Sequence, residues 1–126
     1  MLFRSTPYVY NAKVTSNYDG DTMTAILDLG MGITMTRKCR LLGLDTPEIK
    51  ALHREEHDLA VKAKNRLHEL IGDGAVILHS TAEPDKYGRL LVLVYKDGIC
   101  ANDVLVAEGL AKAYDGGTKT SWDVPA

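Results

Sequence analysis

The sequence predicts an α+β fold that is mainly β: a five-stranded Greek-key barrel with a helix between strands 3 and 4 and a C-terminal helix. Three observations predict it. Three runs rich in β-branched and aromatic residues, all before residue 43, are separated by glycine turns. Apolar residues then switch to helical spacing over about 54–71. Two further apolar runs, 75–78 and 90–95, precede a last short helical stretch.

The first run, Tyr8 to Tyr18, ends at Asp19-Gly20, a strong hairpin signal. Thr22 to Leu29 reads as the return strand, Gly30-Met31-Gly32 as the next turn, and Ile33 to Leu42 as a third strand that delivers Arg40. After Pro47, Leu59, Ala60, Ala63, Leu67, Leu70 and Ile71 recur at helical spacing. Acidic Glu55, Glu56 and Asp58 come early and basic residues later, as the helix dipole favours, and Gly72 and Gly74 stop the helix. A polar connection containing Pro84 to Arg89 joins the last two strands, Lys96-Asp97-Gly98 marks a turn, and Asn102 is the expected N-cap of a second helix running to Gly109. Five strands in this order, with a helix after the third, match the oligonucleotide/oligosaccharide-binding type of barrel.

A chain of 126 residues can bury one core without disulfide or metal staples. A single domain over 1–126 is expected, its core at about 8–114 and a polar tail at 115–126. The apolar share of 45% and charged share of 25% are globular averages, and no apolar run approaches the roughly eighteen residues of a membrane span. The opening Met-Leu-Phe-Arg-Ser-Thr-Pro-Tyr lacks the basic-then-apolar order of a secretory signal. A cytoplasmic protein is therefore expected, with a secreted mature form as the alternative, and a monomer.

Cys39 and Cys100 have no CxxC spacing and read as buried thiols. A net charge of −2 argues against coating nucleic acid through bulk positive potential, so a polyanion would have to be held locally. Basic clusters at Arg37-Lys38-Arg40, Lys62-Lys64-Arg66 and Lys86-Arg89 read first as solvated faces.

The densest chemistry lies in Arg40-Leu41-Leu42-Gly43-Leu44-Asp45-Thr46-Pro47-Glu48: a permanent cation, two carboxylates and a turn at a strand end. Pro47 keeps Thr46 extended and prevents a regular ladder, which presents Asp45, Thr46 and Glu48 at the strand end. Simple alternation puts Arg40 and Asp45 on opposite faces, so they act together only if the chain breaks, and Gly43 is the expected break. The plainer reading is an exposed Arg–Glu pair, which contributes little.

Asp21, in Asp19-Gly20-Asp21-Thr22, stands at the mouth of the second strand. With Asp45 it offers two hard oxygen ligands that suit Ca²⁺ or Mg²⁺ and leave coordination open for a substrate phosphate. Asp85-Lys86-Tyr87-Gly88-Arg89 supplies a second arginine, and two guanidiniums match the charge that accumulates on a pentacoordinate phosphate. Its plainer reading is a surface Arg89–Asp85 pair. His53-Arg54-Glu55-Glu56-His57 fits an inverted zinc-peptidase pattern. The further carboxylate ligand and large cleft that such enzymes need are missing, and two solvated histidines are the reading preferred here. His68 and His79 read as ordinary surface or half-buried residues.

Taken together, Asp-Gly-Asp-Thr at 19–22, Arg-Leu-Leu-Gly-Leu-Asp-Thr-Pro-Glu at 40–48, Asp-Lys-Tyr-Gly-Arg at 85–89 and Asn102…Leu105…Gly109-Leu110-Ala111 occur in the order and spacing of the staphylococcal nuclease (thermonuclease) family. The chain resembles that family over about Tyr8 to Tyr114. The resemblance implies a calcium-dependent phosphodiesterase that cuts the 5′-oxygen–phosphorus bond of DNA and RNA and leaves 3′-phosphate ends. It implies metal carboxylates at Asp21 and Asp45, a carbonyl ligand at Thr46, and phosphate clamps at Arg40 and Arg89. Glu48 is then the residue that orients or deprotonates the attacking water, and Lys86 and Tyr87 are substrate contacts.

Two features depart from the family pattern. Ile49-Lys50-Ala51-Leu52 shortens the loop that follows the Pro-Glu pair, and the family's terminal helix finds no counterpart, which leaves Tyr114 as the candidate base-holding tyrosine. The competing class is a catalytically silent barrel that binds nucleic acid or protein.

Overall fold

A computed structural model of the chain describes residues 5–49 and 54–114, so the expected tail at 115–126, the 50–52 part of the shortened loop and His53 of the histidine pair lie outside the described residues. The elements in order are β1 (Tyr8–Asn17), β2 (Thr22–Gly30), β3 (Ile33–Leu41), β4 (Leu44–Asp45), α1 (Arg54–Ile71), β5 (Ala75–Ser80), β6 (Leu90–Lys96), β7 (Ile99–Cys100), α2 (Ala101–Ala107) and β8 (Lys112–Ala113). Five strands run in the order β3-β2-β1-β5-β6, with β7 on the edge, and a parallel β3–β6 pairing closes them into a barrel. The closing register is Cys39 with Leu90, Arg40 with Leu91 and Leu41 with Val92. Closure removes the exposed edges that an open sheet would present.

The five expected strands and both helices are present, and α1 has the expected limits. Three two-residue strands were not anticipated: β4 pairs with β8, and β7 with β6. Pairings that short carry no hydrophobic periodicity.

Alternation along β2 sends Met23, Ala25 and Leu27 into the barrel, where they meet Leu41, Leu78, Val92 and Val94. α1 covers this core with Ala60, Ala63, Leu67 and Ile71, one stripe of the helix. The small side chain of Ala63 lets the first hairpin turn sit directly against the helix. A Cβ on Gly20 would lie 2.7 Å from Ala63 Cβ and 2.9 Å from Thr46 Cγ2, so only glycine fits there. Asn17 fastens the same turn to the helix by donating from Nδ2 to the Lys64 carbonyl at 3.0 Å.

Asn102 is not the cap of α2. Cys100 occupies the N-cap position without a side-chain bond, and the Asn102 side chain turns into the barrel instead. Its Oδ1 accepts from the Val94 N–H at 2.9 Å, and its Nδ2 donates to the carbonyls of Leu42 (2.9 Å) and Val92 (3.0 Å). The competing demand is the unpaired backbone where β3 parts from β6, and a buried amide with both donor and acceptor meets it better than a hydroxyl or an apolar group. Both cysteines are free and buried, as expected, and burial pushes the Cys39 thiol up to about 11.

Asn102→Ala strips the side-chain partner from the Val94 N–H and the Leu42 carbonyl, at about 1–3 kcal/mol for each group left unsatisfied, while the Val92 carbonyl keeps the Leu42 N–H. Urea unfolding should show a loss of at least about 2 kcal/mol with an unchanged m-value.

Candidate active site

Four chain segments reach the same end of the barrel. In the β2–β3 ladder Thr22 pairs with Arg40, which sets Asp21 beside the arginine, and the Leu41 N–H donates to the Asp21 carbonyl at 2.8 Å. Beyond Leu41 the Leu42 N–H is taken by the Val92 carbonyl, and Gly43 turns the chain at a φ of +82°. Leu44 and Asp45 therefore leave the β2–β3 ladder and pair with β8. That break brings Arg40 and Asp45 together despite their opposite faces by alternation, as expected of Gly43.

Arg40 lies between two carboxylates. Its Nη1 is 2.9 Å from Asp21 Oδ2, and its Nη2 is 3.2 Å from both Asp45 Oδ1 and the Leu44 carbonyl. All three charged residues are buried, with Arg40 at 8%, Asp21 at 4% and Asp45 at 8% exposure. Asp21 also accepts from the Thr22 hydroxyl (3.0 Å) and the Thr46 N–H (3.2 Å). The Thr46 hydroxyl oxygen is buried and has no hydrogen-bond partner.

The second arginine comes from the loop ahead of β6, which folds around Asp85. Asp85 Oδ1 accepts from the N–H groups of Tyr87 and Arg89, and Oδ2 accepts from Arg89 Nε at 2.8 Å. The Arg89 guanidinium carbon stands 5.2 Å from the centre of the Tyr87 ring. An open cleft of about 310 Å³ is lined by Asp19, Asp21, Arg40, Asp45, Thr46, Glu48 and Arg89, among others.

Burial opposes ionisation of Asp21. The Arg40 guanidinium, with hydrogen bonds from Asp19, the Thr46 N–H and Thr22, outweighs it and holds that carboxyl below its ordinary range. Arg40 is raised in turn: burial works against its charge and Asp21 prevails. Asp19 behaves oppositely. Burial first and the neighbouring Asp21 charge second push its carboxyl up to about 7.

A buried arginine between two carboxylates, with a second arginine and an exposed carboxylate lining the same cleft, is an arrangement able to meet the charge of a phosphate ester. Sequence comparison points the same way. The profile described as staphylococcal nuclease homologue matches residues 38–123, more than half of the chain. The chain belongs to the staphylococcal nuclease homologue family. It is 35% identical over 125 residues to endonuclease YncB of Bacillus subtilis (strain 168), a match covering 90% of this chain and 57% of that protein. It is 34% identical over 106 residues to the SPbeta prophage-derived endonuclease YokF of the same organism, covering 80% of this chain and 34% of YokF. The chain thus spans less than two thirds of either relative.

Of the residues the staphylococcal nuclease resemblance singles out, Asp21, Arg40, Asp45, Thr46, Glu48 and Arg89 line the one cleft, Glu48 from an exposed position. Lys86 and Tyr87 stand outside it, exposed on the Arg89 loop. Arg89 makes the expected pair with Asp85 and also lines the cleft. Tyr114 is placed near the site, its ring centre 5.9 Å from the Arg40 guanidinium carbon. His57 is engaged outside the cleft, its Nδ1 2.7 Å from the Ile49 carbonyl. The sequence shows Asp19 only as a turn residue. Its carboxylate accepts from the Asp21 N–H at 3.1 Å, as a turn aspartate should, so local chemistry conceals a fourth acid in the cleft.

A carboxyl raised on folding binds its proton more tightly in the folded state, so its contribution to stability is present below its ordinary value and lost as pH rises through the folded one. In metal-free protein the Asp19 contribution should therefore fall as pH rises from about 3.8 to about 7. Thermal melts across that range should show the decline in the wild type and a flatter profile in Asp19→Asn.

Proposed function

We propose that this cleft hydrolyses the phosphodiester bonds of DNA and RNA, as a calcium-dependent monomeric nuclease in which water attacks in line and 3′-phosphate ends are left. The observation that carries this reading is the convergence of Arg40 and Arg89 on one cleft that also holds Asp21, Asp45 and Glu48. The names of the two Bacillus endonucleases support it.

The side chains fit a hard divalent cation. Asp21 and Asp45 present carboxylate oxygens, the Thr46 hydroxyl adds a buried oxygen without a partner, and among the described residues neither thiol nor imidazole lines the cleft. Among the described residues no three His, Cys, Asp or Glu side chains form a complete metal-binding set, so a bound ion would keep positions for water and phosphate. Asp21, Asp45 and the Thr46 carbonyl would hold the ion, which when bound would act as a Lewis acid toward the phosphate oxygens.

The chain's own groups divide the remaining work. A guanidinium has five N–H donors. Among the described residues Arg40 commits one to Asp21 and two to Asp45 and Leu44, whereas Arg89 commits only Nε–H, to Asp85. Arg89 therefore has the larger set of donors for the equatorial phosphate oxygens, and Arg40 both binds phosphate and holds the carboxylates in place. Glu48, exposed at the rim, accepts a hydrogen bond from the attacking water and takes its proton as the new oxygen–phosphorus bond forms and the bond to the 5′-oxygen breaks.

Arg89→Ala should lower kcat on single-stranded DNA by about 10²–10³, the scale of one preorganised donor group, with an unfolding midpoint close to wild type. Arg40→Ala should lose activity and also about 3–5 kcal/mol of stability, because two buried carboxylates lose the guanidinium between them. Unchanged activity in both variants would sink the site assignment.

Metal removal makes a separate test. EDTA should abolish hydrolysis, Ca²⁺ but not Zn²⁺ should restore it, and the products should carry 3′-phosphates. Oligonucleotide binding without any product in excess Ca²⁺ would instead establish a silent binding module.

A further inference from the structure

The two arginines of the cleft come from different elements, Arg40 from β3 and Arg89 from a loop, and a two-guanidinium clamp works only if their separation is fixed. The loop is closed on itself around Asp85: besides the side-chain bonds of Asp85, its N–H donates to the Arg89 carbonyl and its own carbonyl accepts from the Gly88 N–H. Internal closure sets the loop's shape but not its place on the barrel. Its exit is anchored where Leu90 meets Cys39 in the parallel β6–β3 pairing.

One side-chain bond ties the body of the loop to the wall. Arg37 donates from Nη2 to the Gly88 carbonyl at 3.0 Å, across 51 positions of sequence. Arg37 stands three residues before Arg40 on β3 and directly opposite Ala25 in the β2–β3 ladder. Gly88, which receives the bond, has a φ of +80° and open space where a Cβ would be, so no side chain of its own steadies the turn. Among the described residues neither an ion pair nor any carboxylate contact engages the Arg37 side chain, whose other near neighbour is Met35 Sδ at 4.0 Å.

We propose that Arg37 is a positioning residue: by holding the Gly88 carbonyl it ties the loop carrying Arg89 to the strand carrying Arg40 and sets the spacing of the two guanidiniums. This rests on the nuclease reading for its kinetic consequence but not for its structural one. Strand β3 then carries both fixed points of the clamp, Arg40 through its own backbone and Arg89 through Arg37. The Arg37-Lys38-Arg40 cluster divides accordingly, with Arg37 bound to a carbonyl and Lys38 exposed.

A double-mutant cycle tests the proposal. Arg37→Ala should lower kcat on single-stranded DNA by about tenfold while KM stays within about twofold. In an Arg89→Ala background the same change should have no further effect on kcat, because there is no longer an arginine to position. Arg37→Lys, which keeps a long donor, should recover part of the loss. The dependence of KM on salt should match wild type, whereas a raised KM with a slope reduced by about one would make Arg37 a phosphate contact and overturn the proposal.

Amide hydrogen exchange supplies a readout that needs no catalysis. Exchange at Tyr87, Gly88 and Arg89 should quicken in Arg37→Ala and be unchanged at Thr46, and unaltered loop exchange overturns the proposal even where activity falls. A wild-type chain that hydrolyses nothing would defeat the nuclease reading, and the exchange result would still decide the tether.

Discussion

The site end of this barrel depends on one buried guanidinium. Burying Arg40 with Asp21 and Asp45 exacts a desolvation cost that ion pairing alone recovers poorly, so such a cluster persists only where hydrogen bonds complete it. Here they do: the Thr22 hydroxyl and Thr46 N–H serve Asp21, and the Leu44 carbonyl serves Arg40. Thr22 belongs to the start of β2, Leu44 and Thr46 to β4 and the residue after it, and Arg40 itself to the end of β3. Satisfying the charges therefore fixes the start of β2, the end of β3 and the short β4 relative to one another. The cluster contributes geometry more than it contributes stability.

Behind this cluster the backing is tight. The Asp19-Gly20-Asp21 turn can approach Arg40 because α1 presents Ala63 to Gly20 and offers the Lys64 carbonyl to Asn17. On the other side Asn102 closes the gap between Leu42 and Val92, so the strand end that carries Arg40 is bonded on both flanks. The Asp85–Arg89 loop is held differently, by its own Asp85 and by the single bond from Arg37. The firm wall carries Arg40 directly, and the Arg37 bond holds the Arg89 loop at a set place against that wall.

Legibility in the sequence followed the range of the interaction. Periodicity and turn chemistry are local, and they located the five strands, both helices, and the break at Gly43 that delivers Asp45 to Arg40. Asp21, Arg40, Asp45, Thr46, Glu48 and Arg89 were recognisable because their motifs are compact and stand at strand ends. What escaped was decided by neighbours far away in sequence. Asn102 looks like a cap from its flanks, yet partners 8 and 60 positions away turn it into a barrel cross-link. Asp19 looks like a turn residue, and it is one, but folding half-buries it beside Asp21 and raises its carboxyl. Arg37 looks like part of a solvated basic face, and only folding sets it beside Gly88.

The charges of the cleft bear on how it can receive a polyanion at all. Four carboxyl groups, Asp19, Asp21, Asp45 and Glu48, face two guanidiniums, and the chain as a whole is acidic at −2. With all of these groups ionised, a phosphodiester approaching the cleft meets an excess of negative charge in a partly buried setting where screening is weak. Two routes lower that excess. Asp19, pushed up to about 7, can hold a proton, and a divalent cation can add two positive charges beside Asp21 and Asp45. The second route changes more charge and places it where the phosphate oxygens would lie. The proposed calcium requirement therefore follows from the imbalance of the side chains themselves: the carboxylates that make the cleft repel nucleic acid are the ones that would bind the ion that attracts it.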